Sequence, residues 1–397
     1  MPHLITKKHD TIKTPSSKDG VFFDFIATSH KNENIQEEKI CVTAEGKRFF
    51  LTKLEKNGND LIKLDVTTRV TPISIAKKAL KAYGELANCE IISSNIASST
   101  TKIDPKKEYL KEISYFVDDF STQKEICIEV GFGSGRHLLY QAKTNKNKLY
   151  IGLEIHTPSI EQVLKQIRID DISNILVVNY DARLFLEFMA SNSISQIFVH
   201  FPVPWDKKPH RRVMSKEFID EALRVLNING SLELRTDSPL YYEYSKELYE
   251  TYTEKSTITK NQDLEISSKY EDRWKRMGKD IWDLTIYADK MSPEISIDKD
   301  FVFDIKNILS FDEITKKLPK KPIVEDGFMV HFSHPFKIEE SSGLIHASMG
   351  SFNKPFSIYI FIDKEKISYF ISLPVPTSSN HKAHKLIEQI LKNEDSK

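Results

Sequence analysis

The sequence predicts a doubly wound α/β domain over residues 101–290, and two observations indicate this fold. First, a β-rich run over residues 126–130 leads into glycines at alternate positions, Gly131, Gly133 and Gly135, before an apolar helical pattern begins. Second, further strand-like runs recur at the spacing of strand–helix units, namely over residues 149–153, 175–178, 196–201 and 231–236. Strands that alternate with helical patterns build a parallel sheet covered by helices.

The glycine turn predicts a nucleotide cradle at the end of the first strand. Glycine permits sharp backbone turns and lets a ligand lie against main-chain atoms. Dinucleotide enzymes favour G-x-G-x-x-G. This turn instead reads G-x-G-x-G and has an acid, Glu129, at the strand end. A purely structural strand-to-helix turn is the alternative interpretation, because such turns often contain glycine.

Acidic residues recur where successive strands end. Glu154 ends the second strand, where a carboxylate can accept hydrogen bonds from both ribose hydroxyls of a nucleoside. Asp181 follows the third strand, where it can bind an adenine edge. Helix capping is the alternative for each carboxylate, above all for Glu154, which precedes Thr157-Pro158. The glycine turn with Glu154 and Asp181 resembles the S-adenosylmethionine site of class I methyltransferases.

A basic loop follows the fourth strand. Residues 202–212 read Pro-Val-Pro-Trp-Asp-Lys-Lys-Pro-His-Arg-Arg. The prolines fix the backbone at a carboxyl strand end, where open α/β sheets bind ligands. Trp205 offers a flat face for a base, and the cations of the loop are suited to RNA phosphates. A solvated basic loop is the alternative.

Five ordered motifs resemble the bacterial tRNA (guanine-N(7)-)-methyltransferase family, over about residues 105 to 288. The family shows E-I-G-F-G-x-G, then G-x-E-x-H, then F-P-D-P-W followed by basic residues, then R-T-D, then T-K-F-E-x-R-G. The corresponding segments of this chain are residues 129–135, 152–156, 201–212, 235–237 and 268–273. The chain is therefore expected to be a long form of this family, with extra segments at both ends.

The resemblance implies an enzyme that uses S-adenosylmethionine to methylate nitrogen 7 of a guanine in the tRNA variable loop, forming 7-methylguanosine. The residues implied to bind the cofactor are Glu129, Gly131, Gly133, Gly135, Glu154 and Asp181. Those implied to bind the substrate are Lys207, Asp237, Ser268, Lys269, Tyr270 and Glu271. RNA phosphates are expected to contact Lys208, Arg211 and Arg212. Asp237 is the expected catalytic residue, and tRNA the expected partner.

Val203 departs from the family, which has an aspartate between the two prolines. A valine side chain neither accepts a proton nor forms a hydrogen bond. Guanine nitrogen 7 has an exposed lone pair, so it needs no deprotonation before it attacks a methyl group. Holding the reactants in line can supply about 7–11 kcal/mol. Asp206 and Asp237 are nearby carboxylates that can replace the missing one, and the sequence leaves both open.

Two other functions are less well indicated. The segment Pro202–Trp205 loosely resembles the loop of amino-directed nucleic-acid methyltransferases, but Phe201 stands where that loop needs a polar residue. An RNA-binding paralogue with reduced or lost catalysis is the second alternative. The retained acids at three strand ends speak against it, because an inactive protein need not keep a cofactor site.

The flanking segments predict further domains, a β-rich one over residues 1–100 and an α+β one over residues 291–397. Asn57-Gly58 predicts a hairpin turn, and a helix is expected near residues 75–86. A Ser/Thr-rich stretch at 93–101 is typical of a linker. Nothing in either flank specifies a chemistry, and roles in RNA binding and in stability are equally compatible with them.

Composition limits the partners and the setting. The 397 residues include 57 basic and 57 acidic ones, so attraction to RNA must come from local patches. The cysteines, Cys41, Cys89 and Cys127, form no C-x-x-C pair, and the histidines are dispersed, so neither a disulfide frame nor a metal site is expected. Without a long apolar stretch or a signal-peptide core, a cytoplasmic protein is expected. The sequence leaves monomer and homodimer open.

Overall fold

The computed structural model describes residues 1–29, 37–96, 107–180, 182–263, 277–296, 298–325, 327–352 and 355–392. These residues belong to two compact units. One unit spans residues 101–298, and the other combines residues 1–100 with residues 299–397. We call them the central unit and the flanking unit.

The N-terminal part of the flanking unit consists of antiparallel strands and one helix. Its strands are β1 His3–Thr6, β2 Ser16–Lys18, β3 Val21–Ser29, β4 Glu37–Ala44, β5 Lys47–Lys56, β6 Asn59–Leu64 and β7 Ile91–Ser94. Helix α1, Ile73–Leu86, packs its apolar face against them. The hairpin prediction is confirmed, because Asn57 and Gly58 adopt φ angles of 54° and 77° between β5 and β6. The stretch expected to be a linker begins inside β7, and its part from residue 97 lies outside the described residues.

The central unit is a sheet flanked by helices, and all five predicted strands are present. Its strands are β8 Leu110–Lys111, β9 Glu125–Val130, β10 Lys148–Leu153, β11 Ile175–Val178, β12 Ile194–His200, β13 Leu226–Thr236, β14 Ser256–Lys260 and β15 Trp282–Tyr287. Its helices are α2 Arg136–Thr144, α3 Thr157–Ile169, α4 Ala182–Phe185, α5 Lys216–Val225 and α6 Pro239–Tyr249. The sheet is mixed rather than wholly parallel, since β15 runs antiparallel to both β13 and β14.

The strand order of the central sheet locates the ligand-binding edge. The order is β14-β15-β13-β12-β9-β10-β11-β8. From β9 the chain moves outward to β10 and β11, then returns to the other side of β9 to form β12 and β13. The reversal between β9 and β12 is a topological switch point, and doubly wound sheets bind ligands outside the carboxyl ends of their strands there.

Two glycines allow helices to pack closely on this sheet. A Cβ atom at Gly135 would lie 2.3 Å from Val163 Cγ2 on α3. One at Gly152 would lie 2.4 Å from Leu138 Cδ2 on α2. Both valine and leucine belong to the buried core behind the glycine turn. Close packing in this core therefore requires glycine, which has no side chain, at positions 135 and 152.

The C-terminal part of the flanking unit continues the N-terminal sheet. Its helices are α7 Phe311–Lys317 and α8 Ser378–Leu391, and its strands are β16 Ile323–Glu325, β17 Phe328–Glu339, β18 Ser342–Ser351, β19 Phe356–Ile362 and β20 Ile367–Phe370. Strand β17 pairs with β3, so that one twelve-stranded sheet includes both ends of the chain. The separate N-terminal and C-terminal domains expected from the sequence are therefore replaced by one unit. The physical reason is the β3–β17 pairing.

A buried polar cluster also joins the two parts of the flanking unit. Lys39 Nζ donates to Asp65 Oδ2 at 2.8 Å and to Thr52 Oγ1 at 3.0 Å. The hydroxyl of Tyr359 donates to the same carboxylate at 3.1 Å. Burial by itself would raise the pKa of Asp65, but the Lys39 ammonium group outweighs it and holds this pKa below its usual value. The pair is thus charged and hydrogen-bonded, as buried charges must be.

Gly135→Ala and Gly131→Ala test the close packing behind the turn. Both positions have positive φ, 71° and 68°, so both variants carry backbone strain. Only at position 135 does the new methyl group meet a core side chain. We expect Gly135→Ala to lower the free energy of unfolding by about 1–3 kcal/mol more than Gly131→Ala does. Urea unfolding followed by tryptophan fluorescence measures this, since all 3 tryptophans lie in the central unit. Equal losses would contradict the packing argument.

Candidate active site

The glycine turn lies at the switch point, and its first glycine, Gly131, faces open space. Gly131, Gly133 and Gly135 adopt φ angles of 68°, 51° and 71°, which favour glycine over other residues. The backbone N–H of Gly131 donates to the carbonyl oxygen of Leu153 at 2.8 Å, which ties the end of β9 to the end of β10. A Cβ atom at Gly131 would meet no atom within 4 Å. A ligand can therefore lie against the backbone of this turn.

Glu154 shapes the turn with its carboxylate. One oxygen, Oε2, accepts a hydrogen bond from the backbone N–H of Gly133 at 2.9 Å. The other, Oε1, accepts from the backbone N–H groups of Ile155 and His156 at 2.8 and 2.9 Å. Helix capping was the alternative for this residue, and the structure gives Glu154 a local backbone role as well as a position beside the glycine turn. Because a carboxylate oxygen can accept two hydrogen bonds, Oε2 keeps capacity for a ligand hydroxyl.

Glu129 is buried and engaged by a histidine. Its Oε2 atom forms a 2.8 Å hydrogen bond with His137 Nδ1, near the start of α2. Burial by itself would lower the pKa of His137, but the Glu129 carboxylate outweighs it and raises this pKa above its usual value. The structure thus assigns Glu129 an orienting contact that the sequence did not predict. The contact between Glu129 and the cofactor stays a prediction, and it would involve the other carboxylate oxygen, Oε1.

A polar network extends from this pair across one face of the sheet. The rings of His137 and His200 lie 4.5 Å apart between centroids. A 2.7 Å hydrogen bond joins His200 Nε2 to Glu233 Oε1. Farther along, Arg235 donates to Asp283 at 2.6 Å, and its side chain is fully buried. The sequence did not predict this network. The available signal was polar side chains at alternate positions of β13.

The basic loop begins with a constrained backbone. Phe201 and Trp205 have φ angles of 49° and 47°, in the left-handed region. The backbone N–H of Phe201 donates to the carbonyl oxygen of Arg235 at 2.7 Å, which holds the start of the loop beside the end of β13. Lys207, Lys208 and Arg211 are exposed, and the Arg211 guanidinium lies 5.2 Å from the Trp205 ring centroid. These exposed cations suit the predicted contacts with RNA.

Arg212 does not share this exposure. The sequence predicts a contact with RNA phosphate, but the Arg212 side chain is only 6% exposed. Its Nε atom donates to the carbonyl oxygen of Pro204 at 2.8 Å. Its guanidinium lies 4.6 and 5.1 Å from the ring centroids of Tyr244 and Tyr241 on α6. Arg212 is thus a clamp that holds the loop to a helix, and burial removes it from the phosphate-binding set.

The structure separates the candidates for the missing carboxylate. Val203 is 61% exposed, so its side chain contributes little packing to the loop. Asp206 faces Arg212 at 3.5 Å and belongs to the clamp. Asp237 follows β13, and its carboxylate meets Lys279 Nζ at 3.0 Å. Of these positions, Asp237 offers an acceptor at the carboxyl edge of the sheet. Asp181 and residues 268–271 lie outside the described residues, so their assignments stay predictions.

Among the residues that the structure describes, no group of three or more His, Cys, Asp or Glu side chains is arranged to hold a metal ion. Burial raises the pKa of the Cys127 thiol to about 11, as is typical of an unreactive thiol in a protein core. Among the same residues, no helix combines the length and apolarity needed to cross a membrane.

The doubly wound sheet has a glycine turn after β9, a carboxylate at the end of β10, and an antiparallel strand, β15, inserted between β13 and β14. This combination is that of the class I methyltransferase fold. A family model described as "Putative methyltransferase" matches residues 123–284. The tRNA (guanine-N(7)-)-methyltransferase of Wolinella succinogenes is 41% identical over 98% of this chain and 100% of its own length. Proteins of the same name from Campylobacter jejuni (38%, over 99% of both chains) and Helicobacter pylori (39%, over 98% of both) are also similar. The chain belongs to the tRNA (guanine-N(7)-)-methyltransferase family, and these relatives share both flanking segments.

Arg212→Gln and Arg211→Gln, two adjacent changes of the same kind, test the clamp. Arg212→Gln removes a cation from two tyrosine rings, while the glutamine Nε2 amide, which takes the place of arginine Nε, can still donate to the Pro204 carbonyl. We expect it to lower the free energy of unfolding by about 1–3 kcal/mol. The exposed Arg211→Gln variant should stay within about 0.5 kcal/mol of the unchanged protein. Urea titration of each variant decides the point. Arg212 would not be a clamp if the two variants unfolded at the same midpoint.

Proposed function

We propose that this protein transfers the methyl group of S-adenosylmethionine to nitrogen 7 of a guanine in the tRNA variable loop. Family membership over nearly the whole of this chain supports the reaction, and one observation in the structure supports the proposal for this chain. The Glu154 carboxylate fixes an open glycine turn at the switch point of the sheet, where a nucleoside cofactor can bind.

The residues at the turn fit the nucleoside part of the cofactor. Glu154 is held rigidly by three backbone N–H groups, so it can accept hydrogen bonds from ribose hydroxyls without further ordering. Open space over Gly131 leaves room for the ligand against the main chain. Asp181 would add the predicted contact with the adenine edge. When bound, S-adenosylmethionine supplies an electrophilic methyl group on a positively charged sulfur.

The basic loop and Asp237 would hold the RNA. Lys207 is proposed to contact the substrate, while Lys208 and Arg211 would bind phosphates through exposed side chains. Trp205 precedes these cations in the same loop, and its ring has a face that a base can stack on. Since the whole chain has no net charge, these local cations must supply the attraction to tRNA.

The chemistry asks for positioning and for charge compensation. Guanine nitrogen 7 already has a free lone pair, so no side chain has to remove a proton first. Methylation moves positive charge onto the guanine ring, and the Asp237 carboxylate beside the base would stabilise that charge. The exposed Val203 offers nothing comparable. Asp237 is therefore the proposed catalytic residue, through orientation of the base and through its charge.

The direct test is incubation of the purified protein with labelled S-adenosylmethionine and unmodified tRNA, followed by identification of the methylated nucleoside. We expect 7-methylguanosine within the variable loop. Label in an exocyclic amino group would indicate the amino-directed alternative. Binding of tRNA without any transfer would indicate the non-catalytic paralogue.

Glu154→Ala should weaken S-adenosylmethionine binding by about 1–3 kcal/mol, the usual effect of losing a hydrogen bond to a charged group. Glu125→Ala is the matched control, because it removes a carboxylate from the opposite end of β9, where Glu125 pairs with Lys148 at 2.9 Å. Calorimetric titration of both folded variants measures the difference. Unchanged affinity in Glu154→Ala would remove this residue from the cofactor site.

Val203→Asp and Asp237→Ala separate positioning from acid–base catalysis. We expect Val203→Asp to leave the rate of methyl transfer unchanged or lower, because nitrogen 7 needs no base. Asp237→Ala should slow transfer by about 10- to 100-fold, since an orienting hydrogen bond from the base to a charged acceptor is lost. Single-turnover rates on tRNA provide the comparison. A gain of about 100- to 10,000-fold in Val203→Asp, the range of an acid–base group, combined with a near-normal Asp237→Ala would refute this mechanism.

A further inference from the structure

An ion pair stands at the edge of the sheet where the base would be held. Asp237 directly follows β13, and Lys279 lies three residues before β15. The antiparallel pairing of these strands sets Thr236 opposite Trp282, so the two strand ends meet at the carboxyl edge. There the Lys279 ammonium group lies 3.0 Å from the Asp237 carboxylate. The side chains are 41% and 20% exposed, so a ligand can reach both.

The pair lies beside the start of the basic loop. The backbone N–H of Phe201 donates to the carbonyl oxygen of Arg235, two residues before Asp237. The proposed RNA-binding loop and the ion pair therefore leave the sheet from neighbouring strands, β12 and β13. A base held by Asp237 would also lie within reach of Lys279.

We propose that Lys279 reads oxygen 6 of the target guanine while Asp237 reads the N1–H and N2 amino groups, an inference that rests on the proposed function. The Watson–Crick edge of guanine presents an acceptor, O6, next to two donors. An ammonium donor held one hydrogen-bond length from a carboxylate acceptor presents the complementary pattern. Nitrogen 7 makes no contact in this arrangement, so its lone pair stays free to attack.

The same pair would reject adenine. Adenine has an amino donor at position 6 and an acceptor at N1, so each group would face a partner of its own kind. Unpaired polar groups at a site built for hydrogen bonds are a strong source of discrimination. Lys279 would then be a specificity-determining residue that acts with Asp237 on one edge of the base.

Lys260 offers a matched control for the loss of a lysine. Lys260 is the last residue of β14, and its side chain is 52% exposed. Its ammonium group pairs at 2.8 Å with Asp280, the residue that follows Lys279 in the sequence. Lys260→Met and Lys279→Met therefore remove equal charge from the same region. Only the second removes the proposed contact with O6.

The test measures single-turnover methyl transfer to tRNA that carries guanosine, 6-thioguanosine or inosine at the target position. Sulfur is a poor acceptor in place of O6, and inosine lacks the N2 amino group. We expect the unchanged protein and Lys260→Met to slow by about 10- to 100-fold on the thio substrate. Lys279→Met should be slow on guanosine and show no further loss on 6-thioguanosine, while it keeps the loss on inosine. Asp237→Asn should show no further loss on inosine, while it keeps the loss on 6-thioguanosine.

A full loss on 6-thioguanosine in Lys279→Met would overturn the inference, because Lys279 would then merely neutralise Asp237. The comparison of ratios cancels any change that sulfur makes to the reactivity of nitrogen 7. If the unchanged protein methylated no guanosine in any tRNA, the proposed function itself would fail. That result differs from additive effects in an active enzyme, so the two failures are distinguishable.

Discussion

The candidate active site depends on one carboxylate that accepts hydrogen bonds from the protein's own backbone. Glu154 receives N–H groups from Gly133, Ile155 and His156, and so couples the turn after β9 to the end of β10. Hydrogen bonds to a charged acceptor are stronger than neutral ones, which gives a glycine-rich turn a defined shape. The glycines that let a ligand approach the backbone are thereby held in one backbone conformation.

Beneath this turn, a line of hydrogen-bonded polar pairs supports the strands that end at the site. Glu129 with His137, His200 with Glu233, and Arg235 with Asp283 form three hydrogen-bonded pairs on one face of the sheet. Burial would raise the pKa of Glu233, but His200 outweighs it and lowers this pKa, whereas burial prevails at Asp283 and raises its pKa. Hydrogen-bonded networks of this kind make strand ends rigid. The loop that starts at Phe201 is therefore attached to a rigid part of the sheet, the end of β13.

Local patterns in the sequence predicted what local physics determines. The five strands, the hairpin at Asn57-Gly58 and the place of Glu154 all follow from the period of apolar residues and from turn chemistry. Arg212 was mistaken for a surface cation because its burial comes from Tyr241 and Tyr244, on a helix that starts 27 residues later. The histidine network was missed for the same reason, since its members meet only when β9, β12 and α2 are assembled. Long-range strand pairing likewise joins the two flanks that local patterns in the sequence predict as separate domains.

The pairing of β3 with β17 has a consequence for the order of events during synthesis. The ribosome completes the central unit before it makes the partner of β3. During that interval the central unit can fold from a continuous stretch of chain, whereas the N-terminal strands carry an open edge that awaits its neighbour. Open strand edges attract other chains, so the flanking sheet passes through its most aggregation-prone stage on the translating ribosome.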